Sequence, residues 1–415
     1  MKKYICYCFL FSALSAWTCS EPKSDSIIKE YVLSVEVVNR QVKEVLIDNF
    51  IKKIEVVLDK GEDLTNVELK LTLGEGVSMV SPNNSTAVYN LENTSDIQLS
   101  AGGQNISFKI SGTNYEPEPG LVTAGWSLCS DFGQLPEGIS LYKSPDQLQN
   151  KKAVAYIAVA EIEKNFDFYV LGDANGYKTL TQFYEESDRR YPVIINAGYF
   201  WEGVSLSLIC RDGQIITPNN QVVTRSDGSS DVPFYPTRGV FSLLENKRYC
   251  TDWVFTTVSP GTTYAYPEPA PNKAGSIPMA VPSATYPSGA WEFKAKTSIG
   301  GGPILIKDGK YVNSWEPELY DIPSGIGATA NHPRTAIGYT PDNKLILFVC
   351  EGRNKTPGVP GFTLQEIADI MLDLGCVEAL NLDGGGSSCM LVNGNETIIP
   401  SDGSQRPVVT AIAFK

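Results

Sequence analysis

The run Glu116-Pro117-Glu118-Pro119-Gly120 interrupts the chain, since proline removes a backbone donor and fixes φ while glycine favours turning, so no strand or helix passes through it. At 415 residues the chain exceeds what one compact core ordinarily holds, and this seam separates two stretches of different texture. Residues 26–115 alternate apolar and polar in short runs, such as Lys53-Ile54-Glu55-Val56-Val57-Leu58, broken by turn clusters such as Ser81-Pro82-Asn83-Asn84. That pattern predicts a small all-β sandwich. From residue 120 to 415 the apolar runs become continuous, as in Ala153-Val154-Ala155-Tyr156-Ile157-Ala158-Val159, and helical stretches join them. The fold class predicted is α+β, a mixed-sheet domain with a surface cavity behind the sandwich. The stretch 259–288, rich in Pro, Tyr and Gly, reads as a long surface loop.

The sandwich stretch resembles immunoglobulin-like modules found near the anchors of bacterial lipoproteins. It gathers no catalytic residue types, so a spacer is favoured over a carbohydrate-adhesion surface. Residues 1–18 run from Lys2 and Lys3 through an apolar core to Trp17 and Thr18, ahead of Cys19. This reads as a secretory signal and resembles that of a lipoprotein, with Cys19 lipidated and residues 19–25 as tether; cleavage and release is the alternative. The expected location is the cell envelope, with membrane contact through the lipid anchor only. Six cysteines follow, from Cys129 to Cys389, and either disulfides or buried thiols fit their wide spacing.

Lys and Arg number 34 against 47 Asp and Glu, a net −13, which argues against a nucleic-acid partner. The only histidine is His332, and no CxxC pair occurs, so zinc motifs that need two imidazoles or paired thiols are excluded. No metal-ligand cluster is legible and no cofactor is called for.

One helix can be argued in detail. Thr363 caps it while Glu366 reaches back, Leu364, Ile367, Met371 and Leu374 form its apolar stripe, and Gly375 stops it. A buried strand over 377–382 follows and ends in Asp383-Gly384-Gly385-Gly386-Ser387. Three glycines there permit a turn whose amides converge on an anion, or simply a tight hairpin back to residues 389–392. No GK[ST] follows, so the turn is not a P-loop. Arg334 precedes the apolar strand that starts at Ala336, and its planar fork suits a phosphate or carboxylate; a surface arginine is the alternative. Glu351 and Asp383 each end a strand, where two carboxylates can flank a scissile bond or serve as caps.

Asn196-Ala197-Gly198-Tyr199-Phe200, Gly301-Gly302-Pro303-Ile304-Leu305, Arg334-Thr335-Ala336-Ile337-Gly338 and Leu382-Asp383-Gly384-Gly385-Gly386-Ser387, in this order, resemble the phosphodiester glycosidase family over residues 120–415. The resemblance implies hydrolysis between an anomeric sugar carbon and a phosphodiester oxygen, of the N-acetylglucosamine-1-phosphodiester type, on a carbohydrate substrate. It implies that Arg334 and the amides of Gly384, Gly385, Gly386 and Ser387 hold the phosphate. Asp383 or Glu351 tends the sugar or activates water, with Asp383 preferred, and Asn196 and Asn381 bond sugar hydroxyls or orient a carboxylate. Gly198, Phe200, Gly302, His332, Thr335 and Arg353 complete the expected substrate-binding set. A lipoprotein that binds sugar phosphates without cleaving them is the competing function.

Overall fold

The computed structural model describes residues 30–59, 61–114, 125–259 and 261–415. The expected signal, tether and lipidated Cys19 lie outside these residues, as does the seam at 116–120. Two compact units emerge, Met1–Glu116 and Pro117–Lys415.

The described part of the first unit holds eight strands in two sheets, one of three and one of five strands. Alternation does the folding here: Ile54, Val56 and Leu58 of Lys53–Leu58 and Leu69 and Leu71 of Val67–Leu73 turn into one core with Ile97, Leu99, Phe108 and Ile110, while their neighbours face outward. Lys53–Leu58 pairs in parallel with Gln104–Asn114.

The second unit is built mainly from sheets of eight, seven and five strands, and contains two α-helices among the described residues, Leu180–Glu186 and Leu364–Asp373. It is therefore strand-dominated rather than evenly α+β. Every strand pairing described in it is antiparallel, which corrects the expected mixed sheet. The cause of the misreading is double-sided burial. In Ala155–Glu161, Ala155, Ile157 and Val159 pack into a cluster with the second helix, whereas Tyr156, Ala158 and Ala160 pack into the opposite cluster with residues of the other sheets. Buried on both faces, an antiparallel strand acquires the continuous apolar run usual in parallel sheets.

The second helix forms as its sequence dictates: Thr363 and Glu366 make the reciprocal capping box, Leu364, Ile367 and Met371 are buried, and Gly375 takes φ +84°. The stretch 259–288 is not wholly loop, because Thr263–Tyr266 pairs along Tyr249–Thr256 in the seven-stranded sheet. All six cysteines from Cys129 to Cys389 are free thiols.

Candidate active site

The glycine turn is not a hairpin. Glu378–Asn381 belongs to the eight-stranded sheet, between Ile304–Lys307 and Arg334–Thr340, whereas Met390–Val392 pairs with Val193–Asn196 in the five-stranded sheet. Residues 382–389 thus carry the chain from one sheet to another, and a cavity of about 370 Å³ opens there. Its wall includes Tyr199, Phe200, Trp201, Tyr320, His332, Asp383 and the three glycines, together with Arg225, Arg238, Arg334, Arg353 and Arg406. Asp383 is the one carboxylate among the described residues that line it.

Asp383 is held by its main chain on both sides. Its N–H donates to the Ala197 carbonyl at 2.8 Å, and its own carbonyl accepts the Asn196 amide at 2.6 Å. Burial pushes its carboxyl up to about 6, against the hydrogen bond from Ser387, the charge of Arg406, the Gly384 amide and the charge of Arg353, which all act to lower it. Such a group is charged near neutrality yet able to take a proton.

The expected nest of amides is only partly available. The N–H groups of Gly385, Ser387 and Ser388 donate to the carbonyls of Pro333, Gly384 and Gly385. The glycines serve close approach instead. A Cβ on Gly385 would lie 2.8 Å from Arg353 Nη2, and one on Gly386 would lie 2.1 Å from Arg406 Nη2, so the absence of side chains lets two guanidinium groups lie against the turn.

Arg334 is also corrected. It lines the cavity but is 2% exposed, and its Nε donates to Phe362, Nη1 to Ile326, and Nη2 to Gly327 and Ala330, all through carbonyls. Its fork therefore staples residues 326–330, leaving one Nη1 hydrogen. Desolvation lowers its affinity for the proton to about 10, and no carboxylate lies within 4 Å of it among the described residues. Its charge reaches the cavity as a field rather than as a two-bond clamp.

Glu351 does not join Asp383. It is 3% exposed and absent from the cavity wall; one oxygen accepts the Ile399 amide at 3.0 Å and the other has no partner. Strand register explains this: Arg334 pairs with Cys350, so the side chain after Cys350 points behind the sheet end toward residue 399. Asn196 and Thr335 likewise sit behind the wall. Thr335 Oγ1 donates to Asn196 Oδ1 at 2.9 Å, and that oxygen also accepts the Cys389 amide, so the pair clamps both ends of the turn. Asn381 is 1% exposed and donates to Tyr199 Oη and the carbonyls of Gly302 and Leu382. Gly198 and Gly302 are wall backing too: the Gly198 amide bonds Thr410, and the Gly302 carbonyl accepts the Tyr199 hydroxyl at 2.6 Å.

His332, Phe200 and Arg353 do line the cavity. Burial and the nearby charges of Arg334 and Arg353 lower the His332 imidazole below its usual range, so it is neutral at pH 7. Its Nδ1 faces Arg353 Nε at 3.4 Å. Arg225, Arg238, Arg406, Tyr199, Tyr320 and Trp201 were not in the expected set. For Arg238 a signal existed: like Arg334, it opens a wholly buried strand, Arg238–Leu243.

Residues 191–415 match the phosphodiester glycosidase family. Among curated proteins, the human N-acetylglucosamine-1-phosphodiester alpha-N-acetylglucosaminidase is 40% identical over 113 residues, covering 26% of this chain and 21% of that protein. An uncharacterised SPbeta prophage-derived protein of Bacillus subtilis is 33% identical over 120 residues, covering 29% of this chain and 17% of its own length. The matches therefore span about a fifth of those relatives. Among solved structures, the zebrafish N-acetylglucosamine-1-phosphodiester alpha-N-acetylglucosaminidase catalytic domain aligns over 69% of this chain and 86% of its own, at 18% identity and a TM-score of 0.45. Since the match runs through Asn196, Arg334 and the glycine turn and spans more than half of the sequence, this chain belongs to the phosphodiester glycosidase family.

Proposed function

We propose that the unit Pro117–Lys415 hydrolyses the bond between the anomeric carbon of a sugar, N-acetylglucosamine in the first instance, and the oxygen of a phosphodiester. The observation that carries this reading is a single carboxylate, Asp383, set in a wall of five arginines in a protein of net charge −13. Arg353 and Arg406 flank the turn where the phosphate would sit, and the Arg334 field adds to theirs. A phosphate is a good leaving group, so the step needs charge stabilisation more than a general acid. Ionised Asp383 stabilises positive charge growing at the anomeric carbon and takes a proton from the attacking water. The C–O bond breaks, its electrons pass to the phosphate oxygen, and free sugar and a phosphomonoester leave. One carboxylate suffices on this scheme, which replaces the expected pair.

Incubation with an N-acetylglucosamine-phosphate-mannose conjugate tests the reading. Release of N-acetylglucosamine together with a mannose phosphate supports it. Tight binding with no product after prolonged incubation assigns the cavity to sugar-phosphate binding alone.

We further infer that Cys19 carries a lipid and that the N-terminal module is an immunoglobulin-like spacer holding the catalytic unit off the envelope. The residue pattern of 1–25 and the strand alternation of 26–115 support this. Cys19→Ser should move the protein from the membrane fraction to the soluble fraction.

A further inference from the structure

One phosphodiester carries one negative charge, yet five arginines face the cavity. Two are ion-paired, Arg225 with Asp321 at 2.7 Å and Arg406 with Asp402 at 2.6 Å. Arg334 is held on carbonyls, and Arg353 lies on the glycine turn beside Asp383. Arg238 remains, and nothing in the proposed reaction uses it.

Arg238 is 7% exposed, and no carboxylate lies within 4 Å of it among the described residues. Its Nε is buried without a hydrogen-bond partner. Its guanidinium lies over Tyr320, 4.1 Å from the ring centre, and also hydrogen-bonds the Tyr320 side chain, a neutral partner that leaves its charge uncompensated. Glu318 and Arg238 feel each other's charge, but the two Glu318 oxygens are already engaged by the Gly239 and Ile304 amides, the Trp253 indole and the Ser314 hydroxyl. A guanidinium so far removed from water retains a strong demand for an anion. With Nε occluded and one hydrogen bond made to Tyr320, the remaining terminal N–H groups are what it offers to the cavity it lines, and they suit a carboxylate or a phosphoryl group.

The position of this demand follows from the ring contacts. Tyr320 leans on Tyr199 with ring centres 5.4 Å apart, and Tyr199 lies within the field of Asp383. Arg238 thus stands across two tyrosine rings from the carboxylate that would tend the anomeric carbon.

We propose that Arg238 anchors a second anion subsite, which takes a carboxylate or phosphoryl group carried by the sugar itself. The assignment rests on reading the Asp383 cavity as a sugar-phosphate site. It makes a phosphodiester of an acidic sugar a better substrate than the neutral N-acetylglucosamine conjugate, which the Asp383 site still accepts.

Calorimetric titration of the full chain with three ligands of one sugar configuration tests it: glucose 1-phosphate, glucuronic acid 1-phosphate and glucose 1,6-bisphosphate. At least one of the two acidic sugars should bind about ten-fold or more tightly than glucose 1-phosphate, the uronate marking a carboxylate site and the bisphosphate a phosphoryl site. Arg238→Gln should erase that ratio, and Arg238→Lys, which keeps charge without the fork, should retain part of it. Equal affinity for the three ligands in the wild-type protein, or a ratio that survives Arg238→Gln, overturns the subsite. If the Gln variant unfolds, the wild-type ratio and the Lys variant decide. Failure of all three to bind overturns the reading of the cavity, whereas binding of glucose 1-phosphate without preference overturns the subsite alone.

Discussion

The side-chain amide of Asn196 donates to the main-chain carbonyl of Asp383 at 2.6 Å, joining positions 187 residues apart. Asn196 ends a strand of the five-stranded sheet and Asp383 follows a strand of the eight-stranded sheet, so this bond ties the strand Val193–Asn196 to the start of the glycine turn. Its effect is to fix where the Asp383 carboxyl points, and the Asn196 oxygen secures the far end of the turn through Cys389.

Asn196→Ala should therefore lower kcat by about 10- to 100-fold by letting the Asp383 carboxylate shift, since small misplacements of a reacting group are this expensive. It should also lose about 1–3 kcal/mol of stability through the unsatisfied Asp383 and Cys389 main-chain groups. Steady-state kinetics and denaturant unfolding of the same preparation separate the two effects.

Arg334→Lys should fail to rescue Arg334→Met. Four carbonyls, those of Ile326, Gly327, Ala330 and Phe362, converge on a planar fork that an ammonium cannot reproduce. Both variants should lose about 2–4 kcal/mol in urea unfolding, on the order of two unsatisfied carbonyls, those of Ile326 and Ala330, since Gly327 and Phe362 keep the Ala330 and His332 amides. A fully stable Lys variant would show that charge alone is required there.

Part of this site was legible in the sequence, and for a physical reason: polar residues and glycines gather at the ends of apolar strands, and of that set Asp383, His332, Arg353, Phe200 and the glycine turn line the cavity. The helix Leu364–Asp373 was legible from its capping box and stripe. What could not be read was direction. Asn196, Thr335, Asn381 and Glu351 sit close to the site in sequence pattern, yet their side chains point behind the wall, because strand register and sheet crossing decide which face each presents. Antiparallel pairing was hidden by burial on both faces of strands such as Ala155–Glu161. Arg238 opens an apolar run as Arg334 does, but what sets it apart, a buried Nε without a hydrogen-bond partner, shows only once its surroundings are known.

Gly386→Ala should raise KM about ten-fold with a smaller change in kcat. The added methyl would lie 2.1 Å from Arg406 Nη2 and 2.2 Å from Asp402 Oδ2, so the ion pair must move off the turn where the phosphate would rest. Loss of a contact present in both bound substrate and transition state appears mainly in KM, which initial-rate kinetics report.

Stability and activity should respond to Asp383 in opposite senses. Burial raises its carboxyl from the ordinary 3.8 to about 6, so the folded state disfavours the charged form. Its neutral form is equally at home in both states below pH 4; as pH rises from about 4 to about 6 the unfolded chain ionises first and the fold loses stability, and above about 6 that loss stays constant. Asp383→Asn should thus raise stability at pH 7.5 by about 3 kcal/mol and leave it nearly unchanged at pH 3.5, as read by thermal unfolding at both pH values. In the wild type kcat/KM should rise with an apparent pKa about 6, where the carboxylate forms.

The comparison of Asp383→Asn with Glu351→Gln, assayed by turnover of N-acetylglucosamine-phosphate-mannose at pH 7.5, tests the one-carboxylate site most directly. Asp383→Asn should lower kcat by about 10³-fold while remaining folded, and Glu351→Gln should stay within about ten-fold of wild type. A Glu351→Gln variant that is folded and as inactive as Asp383→Asn, or an Asp383→Asn variant with near-normal turnover, contradicts the account.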